Sequence, residues 1–251
     1  MSGTQNTRRP ADDRPQQERA RGPIGWLLAL ALGLVLTTIG SWIGATVIEI
    51  GGMYTLWPEQ RAQHARAGLL EDYGYVQTFP RSLLVRDTQA FARDMAGWAA
   101  WPFLKARLAD QLARMRTSAL TSAGASRGQA IRQRVLTEAA DWLEASYYTA
   151  QDTAVRLAIA FYGLPAFAMA ICIGLVDGLV RRDLRKWSGG RESSFVYHHA
   201  KRFTGWFLAV GFAAYLAWPF GGLNPAYLVL LFAAAVAMSL STTVSSFKKY
   251  L

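Results

Sequence analysis

The sequence predicts an all-α membrane protein: four transmembrane helices, with a helical periplasmic insertion between the first and the second. Three observations lead there. Apolar residues make up 52% of the 251 positions and charged residues only 18%, and the apolar ones gather into long blocks instead of dispersing as they do in a soluble domain. The first two blocks are separated by about a hundred residues with frequent charges of both signs and an apolar rhythm of three and four, the period of amphipathic helices. The formal net charge of +10 is concentrated beside the blocks, where Lys and Arg mark the cytoplasmic side of a membrane.

Residues 1–22 are rich in Arg, Gln, Asp and Pro, carry no apolar periodicity, and read as a disordered cytoplasmic tail. The first span is placed at 23–48, where Ile24 to Ile48 contains no charge. That run exceeds the roughly 20 residues that cross a hydrocarbon core of about 30 Å. It is also longer than the apolar region of about 7–15 residues in a cleaved signal peptide, so it is read as retained. Gly40 and Gly44 form a GxxxG pair, the spacing that lets two membrane helices approach closely.

Residues 49–152 contain no run long enough to span. Gly51-Gly52 and Trp57-Pro58 are turn signals. Leu83/Leu84, Asp87, Phe91, Met95 and Trp98, then Leu104, Leu108, Leu112 and Met115, recur at helical steps. Pro102 is expected to begin or kink a helix. After a polar break at 121–128, a further stripe runs through Ile131, Val135, Ala139, Trp142 and Tyr147. Two or three helices folded back on one another satisfy these stripes.

The second span is placed at 153–180, with a kink at Pro165. A basic cytoplasmic loop follows at 181–202, a third span at 203–220, and a fourth at 226–243, ahead of a cytoplasmic tail at 244–251. The turn between Pro219 and Pro225 makes the last two spans an antiparallel hairpin. Counting cations puts both termini and the 181–202 loop in the cytoplasm. The 49–152 segment, whose Lys and Arg slightly outnumber its acids, goes to the periplasm because long segments cross largely regardless of charge.

Few residues invite chemistry. No Ser/His/Asp or Cys/His arrangement has suggestive spacing, and the one cysteine, Cys172, lies inside an apolar block. His198 and His199 are adjacent, so on a helix they point about 100° apart and do not converge on an ion as an i, i+4 pair does. Ser188-Gly-Gly-Arg-Glu-Ser lacks the Lys-Ser/Thr element of a phosphate cradle. No catalytic residue, cofactor or metal is therefore expected. Ionisable residues at membrane depth are functional candidates by default. Glu49 and Arg156, both near the outer ends of their spans, are candidates for an ion pair tying span one to span two, the alternative being that each snorkels to the interface. Asp177 suits a pair with Arg181 one turn on, the alternative being a contact with His198 or Lys201 as the loop folds back.

The loop carries a more specific signal. It runs Asp177-Gly-Leu-Val-Arg-Arg-Asp-Leu-Arg, then Gly189-Gly-Arg-Glu-Ser, then Phe195-Val-Tyr-His-His-Ala-Lys. This order resembles the integrating conjugative element membrane protein family, and the resemblance extends over most of the chain past the N-terminal tail. It implies a non-enzymatic scaffold or adaptor in the inner membrane, working with other proteins of a conjugative DNA-transfer apparatus, the coupling ATPase among them. Arg181, Arg182, Arg185, Lys186, Arg191, Tyr197, His198 and His199 are the candidate partner-binding residues. A small membrane transporter and direct contact between the basic loop and DNA are the alternatives. The first wants polar groups lining the spans, and the second wants a strongly salt-dependent affinity.

Overall fold

A computed structural model describes residues 22–120, 127–188 and 209–246. Within them the regular secondary structure is all helix. α1 spans Pro23–Thr55, α2 Ala62–Thr78, α3 Thr88–Lys105, α4 Leu108–Leu120, α5 Arg127–Tyr162, α6 Leu164–Ser188 and α8 Pro225–Ser245. Residues 209–216 form the described part of α7. Contacts divide the chain into Met1–Leu36 and Thr37–Leu251. The described part of the first is the start of α1, whose Ile24, Trp26, Leu27 and Leu28 are exposed.

Among the described residues three helices are long and apolar enough to cross a membrane: α1, α6 and α8. The span expected at 203–220 falls partly outside the described residues. The span expected at 153–180 is divided. α5 runs on to Tyr162, and α6 begins at Leu164. Pro165 is the reason: its ring collides with the carbonyl four residues back inside a helix but is tolerated in a helix's first turn. Residues 153–162 therefore belong to α5, where Thr153, Ala154, Val155, Arg156 and Ala158 are buried. At the other end, α6 continues through Ser188, so Arg181 to Lys186 lie on a helix and not in a loop. Pro102 does not begin a helix. It sits in the last turn of α3, which closes at Lys105.

α2, α3 and α5 pack around Leu69, Val76, Ala92, Ala96, Val155 and Ala158. The buried face of α3 is Thr88, Ala92, Ala96 and Ala100, one or two positions on from the Phe91, Met95 and Trp98 stripe. Alanines occupy the seam because short side chains let helix backbones approach, and the large residues then fall at its margins. Trp98 is 76% exposed and Leu83, which precedes the helix, 89%. Asp87 caps α3, accepting from the Ala90 amide at 2.9 Å.

α6 and α8 form the other close pair. A Cβ on Gly174 would lie 2.6 Å from the Ala237 carbonyl oxygen, and one on Gly178 would lie 2.7 Å from Val244 Cβ. Ala170, Gly174 and Gly178 on α6 thus face Ala233, Ala237 and Ser241 on α8, small residues on both sides of a membrane-type helix crossing. Gly40 and Gly44, the pair singled out in the sequence, have nothing within 4 Å of where a Cβ would stand.

Candidate functional site

The polar centre of the molecule lies where α1, α2, α5 and the turn after α7 meet. α2 supplies His64 and Asp72 from nearby faces, two turns apart. α5 supplies Asp152 and Arg156 at i, i+4, the spacing that stacks two side chains on one helix face. Arg156 is 4% exposed. Its Nε donates to Asp72 Oδ2 at 2.5 Å and its Nη2 lies 2.9 Å from Asp152 Oδ2. Its Nη1 donates to the carbonyls of Tyr215, at 3.4 Å, and Trp218. These carbonyls close the C-terminal end of α7, where unpaired acceptors and the helix dipole favour a cation. One guanidinium therefore joins α2, α5 and α7.

Glu49 is 3% exposed and takes its partner from α2: His64 Nδ1 lies 3.0 Å from Oε1. The His64 ring stacks on Trp57, centroids 3.8 Å apart and nearly parallel. Trp57 in turn fills the space beside Gly52, where any Cβ would collide with the indole. A third link to the α7–α8 turn comes from Glu71. Its carboxylate accepts from the Gly222 amide at 2.8 Å, and Gly221 and Gly222 have φ values of 57° and 67°, a region that glycine enters without penalty. A Cβ on Gly221 would also lie 2.6 Å from Glu71 Oε2.

The ion pair expected between Glu49 and Arg156 is not formed. Each charge is taken instead by a residue of α2, so that helix mediates between α1 and α5. Asp177 lies 2.8 Å from Arg181 Nε and also accepts from Ser241 Oγ on α8. Lys186 reaches Asp183 at 3.3 Å. Arg185 and Lys186 occupy the last turn of α6, where cations complement the dipole, and Arg182 Nε is buried without a hydrogen-bond partner. Arg191, Tyr197, His198 and His199 lie outside the described residues. Cys172 faces outward on α6.

The sequence reading passed over His64, Asp72, Asp152 and Glu71. The i, i+4 spacing of Asp152 and Arg156 was a visible signal. The other partners meet only through folding, with Asp72 and Arg156 84 residues apart.

With a single Arg between them, Asp72 and Asp152 cannot both be fully compensated. Burial pushes the Asp152 carboxyl well above the usual carboxylate range; Arg156 opposes this and Asp72 adds to it. Asp152 Oδ1 is buried with no hydrogen-bond partner. A raised folded pKa means the folded chain holds a proton that the unfolded chain releases. Stability is then lost as pH climbs from the ordinary Asp value, about 3.9, through the raised one. Asp152→Asn, which mimics the protonated side chain, is expected to flatten that decline. Melting of both proteins in detergent at pH 5 and pH 8 tests it, and an equal fall in the two would remove the assignment.

A second, more exposed network joins Arg61, the residue that precedes α2, to α5, and α4 to α5. Arg61 contacts Glu138 at 2.6 Å and Asp141 at 2.5 Å, and Arg116 contacts Glu144 and Asp141. Hydrogen bonding from Tyr54 and Arg61 holds Glu138 below the usual carboxylate range. Among the described residues no group of three or more His, Cys, Asp or Glu is arranged to hold a metal ion. The arrangement is one of paired charges that join helices, with one carboxyl in excess beside Arg156.

Comparison with known families places this architecture. Residues 56–248, more than half of the chain, match the family described as IncC plasmid conjugative DNA transfer protein DtrJ-like. The chain belongs to the DtrJ-like family. The match opens one residue past α1 and takes in α2 to α8, so every residue of the polar centre except Glu49 falls within it. The resemblance read from the sequence holds at the level of conjugative DNA transfer. No curated protein and no solved structure matches the chain.

Proposed function

We propose that this DtrJ-like chain is a non-enzymatic, multi-pass component of the inner membrane that acts as a scaffold or adaptor in a conjugative DNA-transfer apparatus. The observation that carries the reading is the family match over 56–248, joined by three helices with the length and composition of membrane spans. An adaptor must transmit position between the membrane and a partner, and a buried ionic joint linking α1, α2, α5 and α7 suits that task better than loose packing does. A fourth span runs through α7, both termini are cytoplasmic, and 49–152 is periplasmic. The basic end of α6, with Arg181, Arg182, Arg185 and Lys186, leads into a cytoplasmic contact with transfer proteins, the coupling ATPase first among them. The Asp177 to Lys201 signature supports an integrative conjugative element as the setting.

A donor strain deleted for this chain tests the proposal. Transfer frequency is expected to fall at least about tenfold, to recover with the intact chain, and not to recover when the four basic residues are changed to Gln. In a Cys172→Ala background, an impermeant maleimide is expected to label Ala113→Cys from outside and Ser188→Cys only after permeabilisation. Undiminished transfer by the deletion strain would sink the role, and external labelling at Ser188→Cys would invert the topology.

A further inference from the structure

Below the C-terminal end of α2 a groove opens between the 79–82 loop, the α5–α6 break and the first turns of α8. It is overwhelmingly apolar, with an empty volume of about 910 Å3 that includes its open side. Tyr75, Val76 and Phe79 form one wall, Ile159, Tyr162 and Gly163 another, and Pro225, Val229 and Leu230 the floor. Two features say what kind of molecule belongs there. The floor is the beginning of α8, one of the three membrane-length helices. Leu230, 62% exposed, carries the groove onto that helix's outer face, so an acyl chain reaches it from the bilayer without crossing water. The rim carries Arg81, exposed and engaged in no ion pair among the described residues. Asn224 and Pro225 beside it open α8, whose N-terminal dipole end is positive.

Small-molecule sites are typically apolar clefts with a few placed polar groups that fix orientation. A hydrophobic slot entered from the hydrocarbon and closed by a cation at headgroup height has the chemistry of a phospholipid site. We infer that this groove holds one acyl chain of an anionic phospholipid, its phosphate on Arg81. The lipid wedges between α2 and α8 and fixes the extramembrane helices against the spans. The inference rests on α8 crossing the membrane, as proposed above.

The test uses the full chain in detergent, stripped of lipid and exposed to phosphatidylglycerol bearing a photoreactive acyl chain, with phosphatidylcholine of the same chain as comparison. Cross-links are expected in peptides covering 75–82 and 224–230, at least about fivefold stronger with phosphatidylglycerol. Val229→Trp, which fills the floor, is expected to abolish them. Arg81→Gln, at an exposed position that leaves folding intact, is expected to erase the preference between the two lipids. Labelling confined to the outer faces of α6 and α8, or unchanged by Val229→Trp, would overturn the inference, as would cross-links from the groove to a co-purifying polypeptide. Fractionation of the same protein separates the two readings. A chain absent from membranes defeats the membrane assignment itself, whereas a membrane-embedded chain with an unlabelled groove defeats only the lipid site.

Discussion

Replacing Arg156 by Met is expected to destabilise the protein by about 3–5 kcal/mol, the usual cost of removing one partner from a buried ion pair. The side chain faces two carboxyls and two carbonyls, on α2, α5 and at the end of α7. Its loss leaves Asp72 uncompensated at 6% exposure, and the α7 carbonyls lose their donor. In thermal melting of the detergent-solubilised chain this corresponds to a fall of roughly 6–20 °C. Arg156→Lys keeps the charge but not the planar fork, and so rescues only in part. Substituting Arg156→Met, Asp72→Leu and Asp152→Leu together is expected to recover most of the loss, since a buried ionic group exchanged for apolar residues of similar size is often close to neutral. A single substitution that melts like the parent would show that the cluster carries no structural weight. A triple variant no better than the single would place the cost elsewhere than in the stranded carboxylates.

The second large effect is expected at Gly174 and Gly178. A leucine at either position must displace backbone and Cβ atoms of α8, not the flexible end of a side chain. Overpacking of this kind typically costs about 1–3 kcal/mol, and here it outweighs the gain of roughly 0.8–1.0 kcal/mol when a helix exchanges Gly for a better helix former. Gly174→Leu and Gly178→Leu should therefore separate α6 from α8, seen as lower steady-state levels in membranes and loss of cross-linking between cysteines placed on the two helices. Gly40→Leu and Gly44→Leu make the control, because the same added carbon meets nothing there. They are expected to cause no destabilisation, leaving at most the gain of roughly 0.8–1.0 kcal/mol from exchanging Gly for a better helix former. Equal sensitivity in both pairs would mean that the face of α1 carrying Gly40 and Gly44 is covered by a partner.

The contrast between these glycine pairs shows where the sequence could be read and where it could not. Both have the GxxxG spacing, and spacing alone does not tell which helix face meets a neighbour. The Ala92, Ala96 and Ala100 seam went unread for a related reason. Periodicity weighs large apolar residues, whereas close helix contact selects small ones, so the visible stripe through Phe91, Met95 and Trp98 was displaced by one or two residues from the buried one. Pro165 carried the information that the 153–180 run is interrupted, but an apolar window runs across it without a dip. Arg156, read as a charge at membrane depth seeking Glu49, was a sound suspicion about the residue and a mistaken one about its partner.

Composition and local pattern by themselves determined the helical class, the apolar blocks in which α1, α6 and α8 lie, the amphipathic stretch between the first two, and a likeness to conjugative-transfer proteins. Each of these depends on residues near one another in the chain. Only the tertiary structure decided that α2 stands between Glu49 and Arg156, that Glu71 docks the Gly221-Gly222 turn, and that α6 and α8 touch at Gly174 and Gly178. Partners in a buried charge cluster are selected by distance in space, because burial makes every uncompensated charge costly, and the separations of 59 to 84 residues between Arg156 and its partners on α2 and at the end of α7 leave no periodic trace for a linear reading to follow.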